Sequence, residues 1–265
     1  MKQILGCLLA VLMMGTASAQ DWAKAKLEKS SRHQEWVKVK HDGREVDCFV
    51  VYPEVSQKAT AVLLIHEIFG LSDWARSMAD DLAAAGYIVI APDLISGMGK
   101  DGGGTASFAG TDGANRAVSS LPSDQVTADL QAVAEYATKL PSCNGKFVTA
   151  GFCWGGGQTF RFASNNKNLK AAFVFYGGSP TQPEAIARIQ CPVYGFYAGN
   201  DSRIGATLGK TEELMKQAGK TFEPVTYDGA GHGFMRAGEQ PSPTEPNRKA
   251  RADALKRLLG LLQKI

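Results

Sequence analysis

The stretch Lys146-Phe147-Val148-Thr149-Ala150-Gly151-Phe152-Cys153-Trp154-Gly155-Gly156 is the most informative part of this chain. Residues 146–150 have the composition of a buried strand, and residues 151–155 match the pattern G-x-S-x-G with cysteine in the serine position. In that pattern glycines flank a nucleophile on a sharp turn between a strand and a helix. The helix N-terminus favours a thiolate there, and its free N–H groups can bind an oxyanion. The stretch therefore predicts a nucleophilic Cys153; a structural cysteine at a tight turn is the alternative.

Strand and helix patterns alternate on both sides of this stretch. Residues 35–40 and 46–52 predict an opening hairpin with its turn at Asp42-Gly43. The other predicted strands are 61–65, 87–91, 146–150, 171–176, 193–197 and 222–227, with helical patterns between most of them. The alternation predicts an α/β fold of one domain over residues 20–265, with a mostly parallel central sheet and helices on both faces.

Composition and charge exclude several classes of protein. The chain has 265 residues, 44% of them hydrophobic and 21% charged, which is typical of a globular domain with a large core. Its 29 basic and 26 acidic residues give a formal net charge of +3. So small an excess does not provide the basic surface that nucleic-acid binding needs, so we expect no nucleic-acid partner.

The first nineteen residues have the pattern of a secretory signal peptide. Lys2 gives a positive start, residues 4–14 form a short apolar run, and Ala17-Ser18-Ala19 is a small-residue cleavage site. We therefore expect residues 1–19 to be removed and the protein to be periplasmic or secreted. No later stretch is long enough to span a membrane, so we expect no membrane contact after cleavage. The sequence does not indicate an oligomeric state.

Four cysteines remain after Cys7 is removed with the signal peptide: Cys48, Cys143, Cys153 and Cys191. In an oxidising compartment they could form two disulfides, but a core of this size does not need them. Their spacing matches neither a metal site nor a Cys-x-x-Cys redox motif, so we expect no metal or cofactor.

A nucleophilic thiol needs a base, and His232 is the best candidate. It lies in Gly231-His232-Gly233-Phe234, just after the last predicted strand, where an α/β-hydrolase has its histidine. His33 and His41 lie in a polar N-terminal segment and are expected at the surface.

An acid should lie between nucleophile and histidine in the chain. Asp201 follows the predicted strand 193–197, and its role would be to accept a hydrogen bond from the imidazole. Asp228 is closer to His232 in sequence, but it lies on the same strand end as the histidine loop. Asp201 is preferred because a separate loop approaches the far ring nitrogen more easily.

The segment 97–120 departs from the regular alternation. Residues 97–113 contain seven glycines without apolar periodicity, and the sequence stays polar to Ser120. We expect an insertion without regular structure, which is either a lid over the site or a mobile loop.

Four motifs in order along the chain resemble the dienelactone hydrolase family of single-domain α/β-hydrolases. They are His66-Glu67-Ile68-Phe69-Gly70, residues 151–156, Gly199-Asn200-Asp201 and residues 231–234. The resemblance implies a Cys-Asp-His catalytic triad, with site residues as follows: Cys153, Asp201, His232 and Glu67 in catalysis, the backbone N–H groups of Ile68 and Trp154 in the oxyanion hole, and Phe69 and Arg236 in substrate binding.

The resemblance further implies that Glu67 pairs with the resting thiol and helps to deprotonate it when substrate binds. The alternative is a rim carboxylate paired with an arginine, because an unpaired carboxylate at the end of a buried strand would be unstable. Arg236 corresponds to one of the two arginines that hold a substrate carboxylate in the family. The second has no counterpart after Pro92-Asp93-Leu94, although Arg116 could replace it.

The sequence therefore predicts an exported hydrolase that cleaves a small ester or lactone through an acyl-cysteine intermediate. Its partner would be that small-molecule substrate. A thioesterase or peptidase with the same triad is one alternative. A non-catalytic binding protein or thiol-redox protein that retains the fold is another.

Overall fold

The structure is a computed structural model that describes residues 20–265, so the predicted signal peptide lies outside the described residues. The strands are β1 (Gln34–His41), β2 (Arg44–Val51), β3 (Ala59–Ile65), β4 (Ile88–Pro92), β5 (Cys143–Phe152), β6 (Ala172–Phe175), β7 (Val193–Ala198) and β8 (Phe222–Tyr227). The helices are α1 (Asp21–Glu28), α2 (Asp73–Ala84), α3 (Thr111–Ser120), α4 (Ser123–Lys139), α5 (Trp154–Ala163), α6 (Pro183–Ala187), α7 (Ser202–Gln217), α8 (Phe234–Ala237) and α9 (Glu245–Leu262).

The eight strands form one sheet in the order β1-β2-β4-β3-β5-β6-β7-β8. Strands β3 to β8 are parallel to one another, while β1 pairs antiparallel with β2 and β2 antiparallel with β4. The opening hairpin turns at Asp42 and Gly43, which both have positive φ, as a two-residue turn of this kind requires. The predicted α/β fold with a mostly parallel sheet is confirmed.

The core has two layers, one on each face of the sheet. Strand β3 shows why: Leu63 and Ile65 point into one layer, and Val62 and Leu64 point into the other. Alternate side chains of a strand point to opposite faces, so a strand covered on both sides is apolar throughout. Helices α4, α5 and α7 contribute to the first layer, and α1, α2 and α9 contribute to the second.

The expectation of an unstructured insertion at 97–120 was wrong in its second half, where α3 forms. This helix buries Ala114, Ala117 and Val118 against Ile95, a short apolar stripe at helical spacing. Because these side chains are small, the apolar stripe is hard to recognise in the sequence. Ile68 and Trp154 pack against the same cluster, so the insertion contacts two of the predicted site residues.

Two 3-10 turns, Lys100–Gly102 and Thr105–Ser107, lie in the glycine-rich half of the insertion. Buried Asp93 holds the second turn, since it accepts hydrogen bonds from the backbone N–H and the hydroxyl of Thr105 at 2.6 and 2.8 Å. Within residues 20–265, no helix is long and apolar enough to cross a membrane.

Candidate active site

Cys153 lies on a strained turn between β5 and α5. Its φ of 57° is unusual for a residue with a side chain, and its backbone N–H donates to the carbonyl of Phe175 on β6. The flanking positions require glycine because a side chain at either one would clash with backbone atoms. A Cβ at Gly151 would lie 2.1 Å from the carbonyl oxygen of Gly155, and a Cβ at Gly155 would lie 2.3 Å from that of His66. The turn raises the Cys153 side chain above the sheet, and the side chain stays partly exposed.

His232 joins Cys153 to Asp201 through hydrogen bonds at both ring nitrogens. Nε2 lies 3.0 Å from the Cys153 Sγ, and Nδ1 lies 2.5 Å from Oδ2 of Asp201. The three residues come from the carboxyl ends of β5, β7 and β8, the edge at which parallel sheets of this class bind ligands. This arrangement can pass a thiol proton to the imidazole and stabilise the imidazolium that forms.

The surroundings of His232 favour its charged form. The hydrogen bond that the ring makes with the Cys153 sulfur is the largest cause, with a further contribution from Asp201, and together they raise the pKa of His232 to about 9 against the opposing effect of burial. An ordinary histidine has a pKa near 6.5, so the site stabilises the imidazolium that forms when the ring accepts the thiol proton.

Asp201 makes two hydrogen bonds, which fix its position. While Oδ2 contacts His232, Oδ1 accepts from the backbone N–H of Ile204 and so caps the N-terminus of α7. Its side chain is only 7% exposed, which strengthens the contact to the imidazole. Asp228 makes no hydrogen bond to His232 in the described part of the chain, so the structure places Asp201 beside the histidine.

Glu67 pairs with Arg236 in the structure, and no hydrogen bond joins it to Cys153 among residues 20–265. Its Oε2 accepts from Arg236 Nε at 2.7 Å, and Glu67 is 2% exposed. Burial raises the pKa of Glu67, and the guanidinium opposes that shift. The expected contact with the resting thiol is therefore absent. A full positive charge compensates a buried carboxylate better than a neutral thiol does.

Arg236 is consequently occupied in this structure. Besides the bond to Glu67, its guanidinium lies 4.9 Å from the centre of the Phe69 ring, in the geometry of a cation–π contact. The two side chains predicted to bind substrate thus contact each other. A substrate carboxylate at Arg236 would have to bind its two Nη groups or displace Glu67 from Nε.

Ile68 and Trp154, the predicted oxyanion-hole residues, both line the cavity at Cys153. Trp154 is the first residue of α5, so its backbone N–H is among those that a helix leaves free at its N-terminus. Its ring stacks on the buried ring of His66 at a centroid distance of 5.4 Å. His66 contacts the Glu67 carbonyl through Nδ1 and the Leu94 N–H through Nε2, and burial lowers its pKa.

Known proteins resemble this chain over most of its length. The sequence profile of the dienelactone hydrolase family matches residues 46–265. The chain belongs to the dienelactone hydrolase family. It is 33% identical over 204 residues to a candidate carboxymethylenebutenolidase of Salmonella typhi, which covers 72% of this chain and 74% of that protein. A second candidate carboxymethylenebutenolidase, from Saccharolobus solfataricus, is 29% identical over 84% of this chain and 96% of its own length.

Solved structures show the same relationship. A crystal structure described as a candidate dienelactone hydrolase from Klebsiella pneumoniae matches with a TM-score of 0.77 and 25% identity, over 89% of this chain and all of that one. Family membership thus supports a hydrolase of the carboxymethylenebutenolidase type, with an α/β-hydrolase fold.

Tyr176 is a site residue of this dienelactone hydrolase family member that sequence reasoning missed. It directly follows β6, has a φ of 40° and is fully buried. Its ring meets the ring of His232 edge-on at 5.1 Å, and its hydroxyl interacts with the buried carboxylate of Glu67. Burial raises its pKa well above the ordinary value, so the hydroxyl stays protonated. A tyrosine before Gly177-Gly178 at a strand end was the available signal.

The cavity at Cys153 has a volume of about 380 Å³. Its walls come from the start of α5, the loop after β6 and the first turn of α7. This volume suits a small molecule. Within the part of the chain that the structure describes, no group of three or more histidine, cysteine or acidic side chains could hold a metal ion.

Proposed function

We propose that this protein hydrolyses a small ester or lactone through an acyl-Cys153 intermediate. The observation that carries the proposal is the continuous line of hydrogen bonds from Cys153 through His232 to Asp201 at a strained strand-to-helix turn. Membership of the dienelactone hydrolase family supports it, as does a cavity of small-molecule size at the thiol.

In the first step the Cys153 sulfur attacks the carbonyl carbon of the ester, and the thiol proton passes to Nε2 of His232. The carbonyl oxygen takes the negative charge and accepts hydrogen bonds from the N–H groups of Ile68 and Trp154. His232 then returns the proton to the leaving alkoxide, which departs as an alcohol; in a lactone it stays attached to the acyl chain. Asp201 holds the imidazolium throughout.

In the second step water hydrolyses the acyl-cysteine. His232 takes a proton from the water as its oxygen attacks the thioester carbon, and the same oxyanion site holds the charge. The C–S bond then breaks, the acid leaves, and the thiol regains its proton. An ester gives one alcohol and one carboxylic acid, a lactone gives one hydroxy acid, and the enzyme returns to its starting state.

Glu67 would assist this chemistry only after it separates from Arg236. Family resemblance implies that its carboxylate helps to deprotonate Cys153 when substrate binds. In the structure Glu67 is held by a 2.7 Å contact with Arg236. A substrate that draws Arg236 away would release Glu67, whose pKa is raised by burial and which would then be the stronger base.

The direct test is hydrolysis of p-nitrophenyl acetate by the chain that begins at Gln20. We expect Cys153→Ala to lower kcat/KM by about a thousandfold or more. Cys191→Ala is the matched control, since Cys191 is also a free cysteine but is buried away from the cavity, and it should retain activity. Mass spectrometry during turnover should find the acetyl group on Cys153. Equal rates for wild type and Cys153→Ala would refute the proposal.

The same preparation separates the alternatives. Cys48, Cys143 and Cys191 are free and buried, so iodoacetamide should modify Cys153 first. Faster turnover of thioester or peptide substrates than of esters would favour a thioesterase or peptidase. A protein that hydrolyses none of these, with Cys153 recovered as a sulfenic acid or a disulfide, would favour a thiol-redox function.

We further propose that the protein is exported and that its mature chain begins at Gln20. The charged start, apolar run and Ala17-Ser18-Ala19 site support this proposal. Mass spectrometry of the protein recovered from the periplasmic or secreted fraction tests it. A cytosolic protein that retains residues 1–19 would refute it.

A further inference from the structure

Gln158 places an unsatisfied oxygen on the wall of the cavity that contains Cys153. Its Oε1 atom is buried, and no hydrogen-bond donor within residues 20–265 reaches it. An acceptor that loses its water on burial and gains no donor destabilises the folded chain. A ligand or a water molecule has to supply that donor, because the protein does not. The atom therefore marks a point where the cavity can recognise an O–H or N–H group.

Close backbone packing fixes the position of Gln158 relative to the thiol. A Cβ on Gly156 would lie 2.5 Å from the carbonyl oxygen of Phe175, and a Cβ on Gly177 would lie 2.3 Å from the carbonyl carbon of Gly156. Helix α5 and the loop after β6 are thus in backbone contact, and neither can shift toward the other without a clash. The loop adds Gly177 and Gly178 to the cavity wall, and neither has a side chain that could donate to the amide.

The position of His232 decides which part of a substrate enters this cavity. Cys153 and both predicted oxyanion-hole residues line it, whereas His232 is not among the described residues of its wall. His232 would protonate the leaving oxygen, so the alcohol portion of the ester has to lie on the side of the histidine. The acyl portion therefore extends into the cavity, where Gln158 lies.

We propose that Gln158 accepts a hydrogen bond from a hydroxyl group on the acyl chain of the substrate. The proposal rests on the hydrolysis proposed above and names its substrate class, esters of hydroxylated acids. Ile68, Trp154 and Ile204 give the same wall apolar side chains, so a hydrocarbon chain with one donor matches it. Gln158 follows Cys153 by five residues, about 7.5 Å along the axis of α5, so the hydroxyl has to lie several bonds from the carbonyl carbon.

The test uses three p-nitrophenyl esters whose acyl chains differ only at the far end. The 6-hydroxyhexanoate has a donor there, the heptanoate has a methyl group in its place, and the 6-methoxyhexanoate has an acceptor but no donor. An apolar wall without Gln158 would favour the methyl group. We expect wild type instead to hydrolyse the hydroxy ester with a kcat/KM about tenfold above that of the heptanoate. The methoxy ester should have no such advantage.

Two variants of Gln158 separate its acceptor from its shape. Gln158→Met has a similar length but no strong acceptor, and it should lower the ratio of the hydroxy ester to the heptanoate by about tenfold. Gln158→Glu keeps an acceptor and should retain most of the ratio. An unchanged ratio in Gln158→Met would overturn the proposal. An equal advantage for the methoxy ester would also overturn it, because an ether cannot donate.

Arg203→Met is the matched control. Among the described residues Arg203 is the only charged one on this wall, and it is exposed, so water can satisfy its guanidinium. The ratio of the hydroxy ester to the heptanoate should keep its wild-type value in this variant. A loss in Arg203→Met with none in Gln158→Met would assign the hydroxyl to the arginine and overturn the proposal.

Binding without turnover separates this proposal from the proposed hydrolysis. Calorimetry with methyl 6-hydroxyhexanoate compares Cys153→Ala with the double variant Cys153→Ala/Gln158→Met, and neither protein has the thiol. Binding by the double variant that is about tenfold weaker, with no such loss for methyl heptanoate, supports the site even if wild type hydrolyses no ester. If both proteins bind the hydroxy ester equally, or if neither binds it, the site is refuted, whether or not esters are cleaved.

Discussion

At the scale of single residues, His232 forms one hydrogen bond with the sulfur of Cys153, the proposed nucleophile, and another with the carboxylate of Asp201. The His232 side chain is 32% exposed, so solvent screens its two contacts only in part. The raised pKa follows from these two neighbours, first Cys153 and then Asp201. The pKa of this ring therefore depends on its contacts with both of the other two residues.

The titration of His232 gives the first prediction. NMR of the ring should show a midpoint near pH 9, and both Cys153→Ala and Asp201→Asn should lower it. Asparagine still caps α7, so Asp201→Asn keeps the helix start while it removes the charge. Asp228→Asn is the control and should leave the midpoint in place. A midpoint that moves with Asp228 and not with Asp201 would reverse the assignment of the acid.

The raised pKa of His232 also determines how the stability of the folded state changes with pH. A histidine whose pKa is raised in the folded state stabilises that state fully below its unfolded pKa, near 6.5. This contribution is lost as the pH rises through about 9. The contribution of His232 should thus decline between about pH 6.5 and pH 9.

At the scale of elements, the junction of β5 and α5 determines where the thiol lies. Gly155 lets α5 approach the end of β3 so closely that carbonyl oxygens of Ile65 and His66 occupy the space of a side chain. The stack of His66 on Trp154 lies beside this contact. Helix, strand end and predicted oxyanion site therefore form one packed unit.

Gly155→Ala gives the second prediction. Its Cβ would lie 2.3 to 2.4 Å from two backbone oxygens that have no free rotation, so α5 and β3 must separate. We expect a loss of about 1 to 3 kcal/mol in the free energy of unfolding and a marked fall in esterase activity.

Gly260→Ala is the control for Gly155→Ala. Gly260 lies in α9, and a Cβ there meets no heavy atom within 4 Å. Alanine should raise helix stability at that position by up to about 1 kcal/mol and leave activity unchanged. Denaturant titration of both variants measures the difference. Equal stability of the two would show that the close approach at Gly155 does not matter.

At the scale of the whole molecule, a buried ionic cluster joins the opening hairpin to the rest of the sheet. Asp129 on α4 is fully buried and accepts from His41 Nε2 at 2.7 Å and from Arg44 Nε at 3.0 Å. Arg44 also donates to the carbonyls of Leu94 and Ser96 in the loop after β4. His41, expected at the surface from its polar neighbours, is in fact only 15% exposed.

Asp129→Asn gives the third prediction. The amide keeps one oxygen to accept from His41 and Arg44, but it places an N–H group at the position of Oδ2 against the Nε–H of Arg44 and leaves the arginine charge uncompensated. We expect the free energy of unfolding to fall by about 3 kcal/mol. Glu135→Gln removes a charge from the exposed side of the same helix and should have a much smaller effect. Urea unfolding of the two variants is the measurement, and a similar loss in both would contradict the importance of the cluster.

Local sequence was enough to predict the fold and the most specific part of the site. The Gly151-Phe152-Cys153-Trp154-Gly155 pattern predicted the elbow because its requirements are steric and confined to a few residues. Apolar runs such as that of β3 predicted a sheet buried on both faces, since burial on both sides leaves no polar positions. The order nucleophile, acid, histidine along the chain predicted Asp201 and His232 as the other two members of the triad. The roles of these residues remain predictions that await the kinetic tests above.

Only the tertiary structure decided which charged groups meet. Glu67 and Arg236 are 169 residues apart in sequence, and nothing local to either indicates that each neutralises the other. The same holds for His41 and Asp129, which are 88 residues apart. The sequence did not predict helix α3, because its stripe of small side chains is short and is buried only by tertiary contacts such as that with Ile95. The sequence by itself determined the backbone path and the nucleophilic turn, through local sterics and burial. Folding determined the pairing of charges, because electrostatic partners are chosen by distance in space.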